Sequence, residues 1–421
     1  MILESEWETT MLDWLGELGW EPTTGSAVEA GRKGLDDLVL SDVFLHALRR
    51  LNPGVPDTFL AQAQAEMLTP KSQDALAENK AFHALLAHGF HGLAYVDSSG
   101  AEQTPTLRLA SPNPDENAFH AVQQVRIVHG QNSRRFDVVL YVNGLPLAVV
   151  ELKQAGAANA TIAKAHAQIG TYLAEFGTAF RSVVTTVISD GISAQYGTPF
   201  TPLNHYSPWK VDDFGTPVET GPNTPELETL TYGLFDLRRF LDMVLNFTAF
   251  DEDSGHITKR IAKPHQYFAV RKAVDSTLKA IDSTGKAGVV WHTQGSGKSM
   301  EMELYANLVM THPELLNPTI VVITDRTELD GQLFAGFRRS TLLPAGPSCA
   351  NGSPTPLLAA STSPPCKSSA APQPNVTPAS TTPCSPTGAM SSSWSTRPTV
   401  ATTTTSTATP DTSRTPYPTP P

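Results

Sequence analysis

FDVVLYVNGLPLAVVELK, residues 136–153, holds two apolar, β-branched runs around a turn, and its reading decides what kind of sheet this chain builds. Alternation predicts strands over 136–142 and 147–152. Between them Asn143-Gly144-Leu145-Pro146 is a hairpin signal, because Asn and Gly tolerate positive φ. Asp137 stands near the start of the first strand, while Glu151 and Lys153, two apart at the end of the second, share a face. Carboxylate oxygens hold a hard divalent cation such as Mg²⁺, and a nearby amine orients water and stabilises developing charge. Asp137, Glu151 and Lys153 are thus the set that metal-dependent phosphodiester hydrolysis needs. With a regular two-residue Asn143-Gly144 loop, Asp137 would face Val150 and point away from Glu151. The hydrolytic reading therefore requires an odd register shift, from a three-residue loop or a bulge. Charged residues that merely mark the solvated end of a buried strand give the same letters.

Further strands are predicted over 106–109, 121–129 and 182–189, with a helix over 161–176, so the region reads as the mixed sheet of a small nuclease core. Gln168 and Tyr172, four apart, share one face of that helix, positioned to contact DNA backbone or the amine of the site. Arg134-Arg135 offers phosphate contacts or is a solvated pair. Upstream the chain is helical, over 3–18, 41–51, 57–68 and 72–88. Ser5 and Glu8 form a capping-box pattern in the first helix, and Glu78 in the last is a solvated residue or a spare carboxylate.

Residues 197–225, rich in Pro, Thr and Gly, read as a linker with little core. A helix over 234–250 leads to a second motif, GVVWHTQGSGKS at 288–299, which reads strand, glycine loop, helix, with another strand over 319–324. Small residues at Gly295, Ser296 and Gly297 let successive backbone N–H groups face phosphate oxygens, at the positive end of the helix that Lys298-Ser299 open. Thr293 and Gln294 complete the TxGSGKS form found in helicase-like motors, Lys298 reaching the β and γ phosphates of ATP and Ser299 ligating Mg²⁺. His292 stands where the strict pattern has its first Gly. Gln266 has an amide that both donates and accepts, as an adenine edge requires.

At 421 residues with 40% hydrophobic content, the chain holds two or three domains with real cores. A net charge of −11 excludes wrapping nucleic acid with the whole surface, so any DNA contact rests on local arginines and lysines. Neither a secretory leader nor a membrane-length apolar run is present, which predicts a cytoplasmic protein without a membrane partner. Cys349, Cys366 and Cys384 fit neither a zinc site nor a disulfide framework. Of 34 prolines, 17 fall between Pro344 and Pro421 among Ser and Thr, with Asp411 the one acid there, so residues 341–421 are expected to be a disordered tail.

Together these motifs resemble the restriction (R) subunit of type I restriction-modification enzymes, over roughly residues 1–340. The resemblance rests on residues 136–153, Gln168 with Tyr172, His265-Gln266, residues 291–299 and Asp325-Arg326-Thr327-Glu328-Leu329-Asp330. It implies an α/β chain: a PD-(D/E)xK-type nuclease domain in residues 1–215, a connector in 216–258, and a partial RecA-like P-loop lobe in 259–340. Asp137, Glu151 and Lys153 would then be the D…ExK residues, and Gln168 with Tyr172 the QxxxY pair supporting them. Asp137, Glu151 and Ser299 would be the metal ligands, and Gln266 and residues 293–299 the ATP site. The implied activity is ATP-driven translocation of double-stranded DNA and its cleavage, in complex with modification (M) and specificity (S) subunits. The later Asp-Glu strand and second-lobe Arg of such a motor are missing from this sequence. The expectation is an out-of-frame or foreign terminus beyond about residue 340, a lobe cut short, no productive ATP turnover and poor solubility. A stand-alone helicase-type ATPase with an accessory domain, and an inert remnant that binds without turnover, are the other readings.

Overall fold

The computed structural model describes residues 4–154, 162–221, 223–253, 255–316, 318–324, 359–362 and 400–401. It divides into two compact units, Met1–Val270 and Arg271–Pro421. Among the described residues, no helix is long and apolar enough to cross a membrane.

The first unit opens with α1 (Glu4–Glu17), β1 (Glu21–Thr24) and the short α2 (Gly25–Val28), followed by α3 (Ser41–Leu51), α4 (Asp57–Leu68) and α5 (Ala75–His88). The strands β2 (Tyr95–Val96) and β3 (Glu102–Gln103) form a small ribbon. The central run is β4 (Phe119–His129), β5 (Asn132–Val142), β6 (Leu145–Leu152), α6 (Ile162–Glu175), β7 (Thr185–Ser189) and β8 (Ala194–Gly197). Then come α7 (Glu226–Leu234), α8 (Leu237–Asn246), the hairpin β9 (Thr248–Asp253) and β10 (His256–Ile261), and α9 (Pro264–Ile281), in whose sequence the division between the units falls.

Six strands form one mixed sheet in the order β1-β4-β5-β6-β7-β8, antiparallel through β4, β5 and β6 and parallel at β1 with β4 and β6 with β7. The parallel step needs a crossover, which α6 supplies. Ala165, Ile169 and Tyr172 of α6 pack with Phe136, Val139, Tyr141 and Val149 of the sheet. All eight residues of β6 are buried, the mark of a strand covered on both faces.

Asn143 and Gly144 form a two-residue turn with φ of 54° and 79°. Asn143 is fully buried, its oxygen accepting from Arg50 and Ala118 N (both 2.9 Å) and its amide donating to Leu109 O (3.0 Å) and Asn117 Oδ1 (2.9 Å). A Cβ on Gly144 would lie 2.5 Å from Leu40 O. Positive φ and close approach together demand glycine there.

The segment expected to be a linker carries core. Trp209 is fully buried, packs at a tilt against Tyr196 (5.8 Å) and receives the Arg239 guanidinium at 5.7 Å from its centroid. Aromatic area outweighs the Pro and Thr content that signalled a loop. Residues 106–109, expected as a strand, contribute one isolated bridge from Leu107 to Phe90. Glu78 is buried and accepts from Lys71 N at 2.8 Å, so it supports a turn.

In the second unit, α10 (Lys298–Thr311) starts at the lysine, as the glycine loop requires. The strand β11 (Ile320–Thr324) lies between β12 (Ala359–Thr362) and β13 (Val400–Ala401), both parallel to it. Residues 288–293 form no strand, and Val289 and Trp291 are 82% and 78% exposed. An apolar run becomes a strand only when flanking backbones accept its hydrogen bonds, and β11 pairs elsewhere. Asp325–Asp330 and most of 341–421 lie outside the described residues.

Candidate functional site

The β5–β6 ladder changes register once. Val142 pairs with Leu145 and Tyr141 with Pro146, but Leu140 pairs with Ala148 and Val138 with Val150. Leu147 is thus an extra residue in β6, a bulge, and the shifted register, carried one step past the last pair Val138–Val150, puts Asp137 across from Glu151. Val184 N holds the bulge by donating to Leu147 O at 2.8 Å. Asp137 is 6% exposed, and its Oδ2 accepts from Leu152 N at 2.7 Å. Glu151 is 2% exposed; its Oε1 is ion-paired with Lys153 Nζ, and its Oε2 is buried with no donor. Lys153 Nζ also donates to Leu152 O at 2.9 Å.

Two further carboxylates come from α1. One ligand oxygen each from Glu4, Glu8 and Asp137 lie within 4.8 Å of one another. Glu8 Oε2 accepts from Gln124 Nε2 at 2.6 Å, and Gln124 is the β4 residue across from Asp137, at a φ of 57°. The sequence reading gave Glu8 to a helix cap. Its signal was its place among Trp7, Met11, Leu12 and Leu15 on the buried stripe of α1, where an acid needs a partner.

From the other side α6 presents Tyr172, whose ring packs edge-on against Phe136 at 4.5 Å and whose hydroxyl donates to Arg135 O at 3.4 Å. Gln168, one turn earlier, and the Glu151 carboxylate both bear on the same hydroxyl. The structure therefore brings Asp137, Glu151, Lys153, Gln168 and Tyr172 to one end of the sheet and adds Glu4 and Glu8.

The electrostatics follow from crowding. Burial, and then the Glu151 charge, push the Asp137 carboxyl up to about 8. Burial raises Glu151, with Lys153 and then the Tyr172 hydroxyl opposing, and raises Glu8, to which Glu4 adds. Burial pulls Lys153 down, but Glu151 and Asp137 outweigh it and the ammonium is held above its ordinary range. Burial and the two carboxylates raise the Tyr172 phenol, which stays protonated. Buried acids this close repel unless a proton or a cation intervenes. The hard oxygen donors of Glu4, Glu8 and Asp137, with Glu151 Oε2 buried beside them and held by no hydrogen bond of normal geometry, fit a divalent cation of the Mg²⁺ type.

In the second unit Gly295 and Gly297 turn the loop at φ of 81° and 89°. Lys298 Nζ donates to the loop carbonyls of His292 (3.0 Å) and Thr293 (2.8 Å). His292 Nδ1 meets Glu301 Oε1 at 2.7 Å, so the residue replacing the first glycine of the strict pattern ties loop to helix. Thr293, Gln294, Gly295 and Ser299 are exposed around it, and Ser296 and Gly297 complete the turn. Gln266, in the first unit, is 4% exposed, and its Oε1 accepts from Lys263 N at 2.8 Å.

Residues 1–205 match the family model described as type I restriction enzyme R protein N terminus. Over that stretch the chain is similar to the N terminus of type I restriction enzyme R proteins. Its residues 265–352 match the SWI2/SNF2 ATPase family model. The chain is 36% identical over 347 residues to the type I restriction enzyme HindI endonuclease subunit of Haemophilus influenzae, covering 80% of this chain and 33% of that one. It is 26% identical over 228 residues to the type I restriction enzyme SauCOLORF180P endonuclease subunit of Staphylococcus aureus, covering 53% and 22%. The chain thus spans about a third of the length of the first of these relatives and less of the second.

Proposed function

We propose that the first unit is a PD-(D/E)xK-type endonuclease domain that cuts double-stranded DNA with Mg²⁺, in the endonuclease and translocase subunit of a type I restriction-modification system. The observation that carries the reading is the bulge at Leu147, which sets Asp137 opposite Glu151 while leaving Glu151 Oε2 buried without a donor. Asp137 and Glu151 would hold the cation, with Glu8 and Glu4 completing its oxygen surroundings. The bound ion would polarise a phosphoryl oxygen and acidify an attacking water. Lys153, kept as an ammonium by its carboxylate neighbours, stabilises the charge that develops on the phosphate. Tyr172, protonated and anchored on Phe136, and Gln168 fix the far wall of the site.

The second unit is proposed as the beginning of a RecA-like lobe that binds ATP. Lys298 would exchange its two loop carbonyls for phosphate oxygens, and Ser299 would ligate the accompanying Mg²⁺. The boundaries at 215 and 258 are proposed as functional divisions, with α7, α8 and the β9–β10 hairpin as connector. Modification (M) and specificity (S) subunits are the proposed partners, and site recognition belongs to them.

The test is nicking of supercoiled plasmid by the full chain with Mg²⁺. Wild type is expected to nick, and Asp137→Asn and Lys153→Met to lose at least about a hundredfold in rate. Equal nicking by both variants would leave the ATPase reading standing alone.

A further inference from the structure

We propose that the free end of the β4–β5 hairpin is an arm that grips the phosphate backbone of duplex DNA beside the carboxylate site, with Arg126 and Arg135 as its contact residues. The inference rests on the nuclease reading of Asp137 and adds the surface that presents the substrate.

The arm is defined by where pairing stops. The β5–β6 ladder reaches Val138 and β1 pairs with β4 up to Gln123, whereas β4 and β5 stay paired down to His129 and Asn132. Residues 126–135, Arg-Ile-Val-His-Gly-Gln-Asn-Ser-Arg-Arg, carry three arginines, one histidine and no acid, in a chain of net charge −11. Arg134 is spoken for, paired with Glu175 of α6 at 2.7 Å. Arg126 and Arg135 are exposed, lie directly opposite each other across the two strands, and form no ion pair among the described residues, although the Arg135 charge reaches Glu8 of the carboxylate site. Like charges on directly opposed strand positions repel, an arrangement unfavourable in the isolated protein that a polyanion relieves.

Position assigns the ligand. Arg135 is two residues from Asp137 on the same strand, a rise of roughly 7 Å, which is about the distance between neighbouring phosphates along one DNA strand. A backbone gripped at Arg126 and Arg135 therefore carries a neighbouring phosphate to the carboxylates. The arm is also braced. Buried Arg32 donates from Nη1 to Arg126 O at 2.7 Å and from Nε to Asp37 O at 2.8 Å, and Val128 N donates to Leu35 O at 2.8 Å. Contacts to phosphate carry no sequence information, so the grip is sequence-independent.

The experiment measures binding of the full chain, carrying Asp137→Asn to block cutting, to a fluorescent DNA duplex over a salt series. Adding Arg126→Gln and Arg135→Gln is expected to weaken binding and to reduce the log–log salt slope by about 2, one released counterion per arginine. Arg126→Lys with Arg135→Lys should keep the slope, and Arg134→Gln should leave it within experimental error. An unchanged slope in the double Gln variant overturns the proposal, as does equal loss in the Lys pair. Should the double Gln variant fail to fold, single Arg135→Gln carries the test, with an expected slope change of about 1. Arginine-dependent binding without any nicking by wild type would retire the nuclease reading and leave the arm; nicking with an arginine-independent slope would do the reverse.

Discussion

Asp137 and Glu151 face each other because β6 holds one residue more than β5 between the turn and the site, and that residue is Leu147. A one-residue shift flips every side chain beyond it, so the bulge is what turns two separate acids into a pair. Glu151→Gln is therefore expected to cost nicking at least about a hundredfold, the upper end for loss of a partner around a metal. Its melting temperature in chelator should be unchanged or higher, because a buried charge disappears. A large loss of stability with rate retained per folded molecule would make the pair structural.

Glu8→Gln is expected to weaken divalent-cation binding by about ten- to a hundredfold while leaving the rate at saturating cation close to wild type. The check is the Mg²⁺ dependence of nicking, with calorimetric titration of Mn²⁺ as an independent readout. Superimposable curves for variant and wild type would remove α1 from the surroundings of the ion.

Asp137 sets a pH dependence with a definite sign. Its folded value of about 8 lies above the ordinary 3.8, so between those values the folded state holds the additional proton. The stability it confers is present at low pH and is lost as pH rises toward 8, by about 1.4 kcal/mol per unit within the window. In chelator, wild type should lose stability relative to Asp137→Asn between about pH 5 and pH 8, and Mg²⁺ should close the gap at the alkaline end. A difference independent of pH and of Mg²⁺ contradicts this.

Lys259 of β10 carries a second pH signature of opposite sign. It is fully enclosed, donating to Asn79 Oδ1 at 2.7 Å and Val183 O at 3.0 Å, and burial holds it well below its ordinary range. A base whose folded value is depressed costs stability as pH falls below its unfolded value of about 10.4. Wild type should therefore lose ground to Lys259→Met between about pH 9 and pH 7 in urea unfolding, by up to about 1.4 kcal/mol per unit. His83 beside it, also buried and lowered, titrates below that range in both states. Parallel stability curves would show that Lys259 stays charged in the fold.

Much of the first unit was legible because its signals are local. Asn143-Gly144 specified the turn, and the apolar runs around it specified two strands. The need for a register shift also followed from counting residues between Asp137 and Glu151, but which residue bulges depends on Val184 and the strand beyond, contacts a linear pattern does not encode. Glu8 was missed because a helix-cap reading looks along the helix, and its partners Gln124 and Asp137 are more than a hundred residues away. Trp209 was missed because turn-forming neighbours masked one large apolar residue. Residues 288–293 failed the other way: their strand signal is genuine, and what a strand needs besides is at least one paired neighbour.

The most direct measurement is anomalous scattering from crystals of the full chain grown with Mn²⁺. The account predicts a peak bonded to Asp137 and Glu151 oxygens at about 2.0–2.2 Å, the range of hard six-coordinate cations, with Glu8 or Glu4 in its surroundings and the peak absent from Asp137→Asn. Mn²⁺ bound only elsewhere, with Glu151 Oε2 still without a partner, would contradict it.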